Sequence, residues 1–455
     1  MDGAPPDVPR PDVLFICADP VGEWMAGLGI RCWELARALG DTARVTVAHG
    51  GSEEGERQGV QLVTFRPHAP AALRAPIARA DAVVAHPQWP LVDRWLARSC
   101  ARVVVDLYCP ETLETLELLG QPRGRRGRLI RAQHTATTLD RLHAALRTGH
   151  NFICASDTQR DLWLGAMLAL RLIDPERYDR DPSLRETIDL VPFGVPDEPP
   201  TPASAAGGAR EAIPALGPDS EIVLWNGGIW RWLDALTAIR AVGALSERRP
   251  GVRLVFMGGA AEHPAAAAST AAARALAQQL GLLGSIVHFH DRWVPYRQRA
   301  AWLAQAACLL SCHVEHLETR FAYRTRLLDG LWAGVPIVCT SGDDLAERVQ
   351  REQLGQVAAP GDWEGLAAGI EDVLGKGRDA YAARLRAAAE GQTWSKVSEP
   401  LARWISQPAP SQRLGEASGA VRPPLAQRLR EAAYLAGGRA LLARRRPAGP
   451  PARAG

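Results

Sequence analysis

The segment 307–340, "ACLLSCHVEHLETRFAYRTRLLDGLWAGVPIVCT", decides the fold. Its first seven residues form a short apolar run, which reads as a buried strand. "VEHLETRF" is the exit loop, and "AYRTRLLDGLWA" is a helix in which Leu327, Leu328 and Leu331 share the face that packs on a sheet. Gly334 ends that helix, and "VPIVCT" is the next strand. Strand, helix and strand in this order build a parallel sheet. The stretch also gathers Glu315, Glu318, Arg320, Arg324, Arg326 and Asp329 at the carboxyl end of its first strand. In open α/β sheets that end is where ligands bind.

The same alternation runs through most of the chain. "DVLFICA", "RVTVAHG", "DAVVAH", "RVVVDLY", "NFICAS" and "IDLVPFG" read as buried parallel strands of a first domain, residues 1–195. "PDEPPTPASAAGGAR" interrupts them and places a linker at 196–218. The pattern restarts with "EIVLWNGG", "VRLVFMGG" and "SIVHFHD", giving a second domain over 219–395. A helix at 396–410 is expected to return to the first domain, with a basic Pro/Arg-rich tail at 411–455. Two doubly wound, Rossmann-like α/β domains facing a central cleft follow.

Composition narrows the function. A net charge of +3 argues against bulk affinity for nucleic acid. The eight cysteines lack paired C-x-x-C spacing and read as reduced core thiols, not as a metal site. The N-terminus has no basic region ahead of its apolar run, and no segment is long and apolar enough to span a bilayer, so a cytoplasmic protein is expected. In the tail, Leu429, Ala433, Leu435 and Leu441 stand among arginines, a pattern suited to weak peripheral contact with the inner face of an anionic membrane.

Gly27 and Gly29 precede a helix and let a ligand approach backbone N–H groups. This is not the dinucleotide fingerprint, because Cys32 stands where the third glycine belongs. Further on, Thr325, Arg326 and Asp329 share one helix face. An acid beside forked bases suits a sugar-phosphate ligand: the carboxylate binds ribose hydroxyls and arginine binds diphosphate oxygens.

At these residues the sequence resembles the retaining GT-B glycosyltransferases of family 4 (glycosyl transferases group 1). In "DGLWAGVPIV", Gly334 and Pro336 fall where that family has its Gly-x-Pro turn, which puts Asp329 at the position of the family's ribose-binding Glu. The family's earlier Glu corresponds to Phe321, and Glu318 is the nearest carboxylate that can replace it. The family's phosphate-binding Arg and Lys correspond to Gly228 and Leu233, so Arg324 and Arg326 are expected to take over their charge, with Arg231 as a weaker candidate. The resemblance further assigns Gly227, Gly228, Thr325 and Trp232 to the donor. It leaves Gly27, Gly29, Asp106 and Tyr108 to the acceptor side, Tyr108 standing near the family's usual His.

The resemblance implies a metal-independent hexosyltransferase of bacterial cell-envelope polysaccharide biosynthesis. It would move a sugar from a nucleoside diphosphate to a glycan, lipid-linked or small-molecule acceptor with retention of configuration. The nucleotide sugar is a substrate, and no cofactor is expected. Two alternatives stay open at this stage: a non-catalytic nucleotide-sugar or glycan binding protein, and a nucleotide-sugar epimerase.

Overall fold

Fourteen strands fall into two sheets in the computed structural model, which describes residues 10–88, 90–120, 124–200, 207–258, 264–408 and 412–417. The first sheet holds β1 (Asp12–Cys17), β2 (Arg44–His49), β3 (Gly55–Arg57), β4 (Val60–Thr64), β5 (Ala82–Ala85), β6 (Arg102–Asp106), β7 (Asn151–Cys154) and β8 (Ile188–Leu190). Their order is β3-β4-β2-β1-β5-β6-β7-β8, parallel throughout except for β3 on β4. The second sheet holds β9 (Glu221–Trp225), β10 (Val252–Phe256), β11 (Val287–Phe289), β12 (Ala306–Ser311), β13 (Ile337–Thr340) and β14 (Gly355–Ala358), in the order β11-β10-β9-β12-β13-β14.

Both orders reverse at one point, between β1 and β5 in the first sheet and between β9 and β12 in the second. Helices leave opposite faces of a sheet on either side of such a reversal, which opens a crevice beyond the strand ends. The central strands are fully covered, as parallel strands must be: Phe15 of β1 sits in register between Val47 and Val84, and Trp225 of β9 lies beside Phe256.

The apolar runs of the sequence mark the inner strands to within a few residues. They do not mark β3, β4 and β14, which are short or carry alternating polar residues because they lie at or near sheet edges. The later part of the expected linker belongs to the second domain: a short helix, Ala209–Ala212, and Leu216 pack with Trp302 and Val335.

The chain then crosses back. Val195 donates to the Gln392 carbonyl at 2.8 Å, and Trp394 donates to the Val195 carbonyl at 3.0 Å. The Trp394 ring lies 4.8 Å from that of Phe193. Two short helices, Trp394–Val397 and Glu399–Ile405, follow, and Arg403 pairs with Asp189 at 3.2 Å. Ordered packing continues past residue 410, inside the segment read from sequence as tail. Arg413 donates to the carbonyls of Thr148 and Ser99, and Leu414 is fully buried among first-domain side chains including Leu142 and Leu146. The tail residues singled out for membrane contact, Leu429 to Leu441, lie outside the described residues.

Leu414→Ala should therefore lower the stability of the first domain by about 2–5 kcal/mol, the range for emptying a buried leucine site. Denaturant unfolding measures this, and an unchanged midpoint would contradict the packing.

Candidate active site

A cavity of about 440 Å³ lies between the two domains, beyond the carboxyl ends of both sheets. Its second-domain wall starts where β9 runs into Asn226, Gly227 and Gly228. Gly227 has φ +135°, a backbone that side-chain-bearing residues rarely adopt. The Asn226 amide donates to the Arg326 carbonyl at 2.8 Å and to Asp329 Oδ2 at 2.9 Å. The start of the helix Thr325–Ala333 is thereby tied to the end of β9. That helix closes on Gly334 in the left-handed conformation, as the sequence indicates.

Asp329 faces the cavity, with Arg299 Nε 3.4 Å from its Oδ1. The Arg299 guanidinium is itself held over the rings of Tyr296 and Trp332, at 3.8 and 4.8 Å. Arg326 lies 5.5 Å over the Trp225 ring, and one arm, Nη2, donates to the Gly228 carbonyl at 3.3 Å. The other arm, Nη1, is buried with no partner. Burial, and then the neighbouring charge of Arg324, lower the Arg326 pKa to about 10, so it stays a cation at neutral pH.

Arg324 is placed differently. It pairs with Asp343 and donates to the carbonyls of Thr340 and Ser341, so its guanidinium is spent on the end of β13. Glu318 is 3% exposed and sits on a short helix, Leu317–Phe321, within the stretch read as loop. Its Oε2 makes no hydrogen bond, and His316 Nδ1 lies 3.7 Å away. Burial first, and then the charge of Glu114, raise the Glu318 pKa to about 8. His313, also on the wall, is held well below its usual range by burial and by Arg324 and Arg326, and stays neutral.

The first-domain wall is built on Gly27, Tyr108, Cys109 and Glu114. Tyr108 is buried and lines the cavity opposite Thr325. Glu114 is pushed up to about 7, chiefly by burial and secondly by Glu111. Two carboxyls from opposite domains therefore face one space, and the charge of Glu114 adds to the upward shift of Glu318.

Several sequence-based assignments are corrected here. Asp106 does not face the cavity: it is buried beneath Arg31, whose Nε and Nη2 reach its two oxygens at 2.6 and 3.1 Å. The strand-end carboxylate that reads as a sugar ligand is thus half of a buried ion pair. Arg31 also donates to the carbonyls of Val191 and Pro192 and lies 4.9 Å over the Tyr108 ring, locking the ends of β6 and β8 together. Gly29 does not line the cavity either. A side chain there would meet the Pro20 carbonyl at 2.3 Å, so the glycine serves helix packing. Arg231 packs its guanidinium over Gly120 of the first domain, away from the cavity. Trp230 and Trp232 stack with centroids 5.6 Å apart, and both line it.

Asn226, Arg299, Tyr296 and Glu114 are the site residues that the sequence reading passes over. Asn226 carried a usable signal, since it stands at a strand end before two glycines. Arg299 and Tyr296 sit in "VPYRQRAAW", where no spacing marks them. Among the described residues, no group of three His, Cys, Asp or Glu could hold a metal ion.

Comparison with known proteins agrees with this architecture. Residues 220–376 match the family model of glycosyl transferases group 1. Solved structures share the fold over nearly their whole length. WaaG, a glycosyltransferase involved in lipopolysaccharide biosynthesis, is 19% identical with a TM-score of 0.58, covering 87% of this chain and 99% of its own. HepE of Anabaena, solved with UDP-glucose, is 14% identical with a TM-score of 0.60, covering 87% and 99%. Sucrose-phosphate synthase from Thermosynechococcus elongatus is 14% identical with a TM-score of 0.57, covering 87% and 98%. No curated protein sequence matches the chain. The resemblance carried by "DGLWAGVPIV" thus agrees with the group 1 model over residues 220–376 and with the GT-B fold of the solved structures.

Asp106→Ala leaves Arg31 buried and unpaired, so it should cost about 3–5 kcal/mol of stability. Thermal unfolding checks this, and a variant as stable as the parent would return Asp106 to the list of ligand-binding candidates.

Proposed function

We propose that this chain, a GT-B protein whose second domain matches the group 1 glycosyltransferases, transfers a hexose from a nucleoside diphosphate to an acceptor hydroxyl in the inter-domain cleft. The observation that carries this reading is the unpartnered, buried Nη1 of Arg326, beside Gly227 and Gly228 and one helical turn from Asp329. A cation with a free donor arm at a strand-end glycine pair suits a diphosphate. A partly exposed carboxylate next to it, Asp329, suits the two ribose hydroxyls. That HepE binds UDP-glucose on the same fold supports a nucleotide sugar as the ligand.

In this reading the donor's anomeric carbon lies near Glu318 and Tyr108. The bond from that carbon to the leaving phosphate oxygen breaks, and the acceptor oxygen bonds to the same face. The acceptor proton passes to the departing phosphate, so configuration is retained and no protein base is required. Charge building up on the diphosphate is met by Arg326, with Arg324 as the fixed second cation that keeps β13 and the Asp343 loop in place. The nucleotide sugar is a substrate, and neither cofactor nor metal takes part. A neutral Glu318 donates a hydrogen bond to a sugar hydroxyl in place of the family's earlier Glu, whose position here is Phe321.

The cleft is polarised. Among the described lining residues its arginines, Arg299, Arg324 and Arg326, all belong to the second domain, whereas the first-domain wall carries Asp19 and Glu114 and no base. That wall favours an acceptor that offers neutral hydroxyls, as a glycan does. We assign the enzyme to assembly of envelope polysaccharides on that ground and on its likeness to WaaG.

Arg326→Gln should lower turnover about 10²–10³-fold, as removal of one preorganised charge-stabilising donor does. Arg326→Lys, which keeps the charge and loses the fork, should fall between. Transfer or slow hydrolysis of a panel of nucleotide sugars, beginning with UDP-glucose, measures this. Full activity in both variants would remove the assignment, and donor binding without any turnover in the parent would favour a non-catalytic binder.

Glu318 also predicts a pH dependence. Its folded pKa of about 8 lies above the ordinary 4.5, so its contribution to stability is complete below pH 4.5 and is lost as pH rises through about 8. Glu318→Gln does not titrate, so its melting temperature should gain on that of the parent across this window. Parallel melting curves would contradict the raised pKa.

A further inference from the structure

A second cavity, of about 680 Å³, opens on the first domain at the end of the sheet opposite the cleft. Its floor lies where β6, β7 and β8 begin, and is made by the buried residues Arg102, His150, Asn151 and Thr187. The returning segment closes one side through Gln407 and Pro408, and Arg177 lines another.

Arg102 is 4% exposed. Its Nη1 donates to Asn151 Oδ1 at 2.8 Å and its Nη2 to the carbonyls of Gln407 and Pro408, while Nε is buried with no hydrogen-bond partner. Burial lowers its pKa, and no carboxylate among the described residues offsets that. Arg177 Nε also lacks a hydrogen bond, and the nearest acid, Asp174, stands 3.8 Å from it. His150 completes the group. The Val103 N–H donates to its Nδ1 at 2.9 Å, so the proton of the neutral ring sits on Nε2, as a donor. Burial first, and then the charges of Arg413, Arg102 and Arg177, push the His150 pKa down to about 4, so the ring is neutral.

Donors and positive charge thus collect at the floor without a counter-charge. The carboxylates of the lining are placed differently. Asp174 accepts from the Arg177 backbone at 2.8 Å and Asp181 from the Glu186 backbone at 2.8 Å, while Glu176 and Glu186 are exposed at the rim.

We propose that this cavity binds a soluble, phosphorylated, hydroxyl-bearing small molecule, its phosphate held by Arg102, Arg177 and His150. A guanidinium buried without an anion is costly, and a phosphate supplies both the missing charge and acceptors for the free N–H groups. The cavity is larger than a phosphate alone requires, and the rim carboxylates suit hydroxyls on the rest of the ligand. Those carboxylates also repel an anionic surface, which favours a soluble ligand over a lipid headgroup. Because Gln407 and Pro408 form one wall, an occupied site holds the returning segment against the first domain.

The test is calorimetric titration of the full chain with inorganic phosphate, glucose 6-phosphate and glucose. Both phosphates should bind, the sugar phosphate more tightly, and glucose should not. R177Q, a change on a half-buried side chain, should weaken both by roughly ten- to a hundredfold, as loss of one hydrogen bond to a charged group does. R102Q should weaken them similarly if it folds, and R177Q decides the matter if it does not. The cleft takes a nucleotide sugar in the proposed function, so R326Q separates the two sites: this binding should survive it. Amide hydrogen exchange in Glu399–Ile405 should slow when glucose 6-phosphate is bound. The proposal is overturned if neither phosphate binds, if glucose 6-phosphate binds no more tightly than inorganic phosphate, or if R177Q binds like the parent. It is equally overturned if R326Q abolishes the binding, or if phosphatidylglycerol vesicles displace glucose 6-phosphate, which would mark a headgroup site.

Discussion

Everything in the candidate site hangs on one side chain. Asn226, at the end of β9, donates to both the Arg326 carbonyl and the Asp329 carboxylate, joining the strand on one side of the chain reversal to the helix that follows β12. Together with the Arg326 donation to the Gly228 carbonyl, that bridge fixes the helix Thr325–Ala333 against the Gly227–Gly228 turn. A buried amide is suited to this, because it satisfies a backbone acceptor and a carboxylate together and adds no charge to a crowded electrostatic field.

The first domain solves the corresponding problem with charge. Arg31 and Asp106 are buried together, and the guanidinium also satisfies two strand-end carbonyls and covers Tyr108. Such a pair costs desolvation and repays it through complete hydrogen bonding. Its gain here is positional: the Tyr108 wall is held rigidly opposite Thr325 and Glu318. The lining arginines of the cleft then stand on the second domain, and the carboxyls Glu318 and Glu114, both raised by burial, face each other across it. A neutral carboxyl both donates and accepts, which suits hydroxyl recognition without repelling a departing diphosphate.

Fold was far more legible in the sequence than site. Inner strands of a parallel sheet must be apolar on both faces, so β1, β5, β9 and β12 announce themselves, while edge strands such as β3 and β14 need no such run. Asp329 and Arg326 could be found because helix periodicity and a Gly-x-Pro turn locate them. Asp106 and Gly29 read as ligand contacts because a strand end or a glycine supplies the residue type, and Arg231 because it stands near the resembled phosphate-binding positions, whereas side-chain direction depends on partners far away in the chain. Arg31 lies 75 positions from Asp106, and Gly120 more than a hundred from Arg231. Glu114 and Arg299 had no local signal, since their importance comes only from the facing domain.

The most direct measurement is a crystal structure of the chain with a nucleoside diphosphate bound. The expected result has the diphosphate on Arg326 Nη1 and the Gly227–Gly228 backbone, with Asp329 released from Arg299 to hold both ribose hydroxyls. A nucleotide bound outside the cleft, or one that leaves Arg326 and Asp329 without contact, would contradict the proposed donor site.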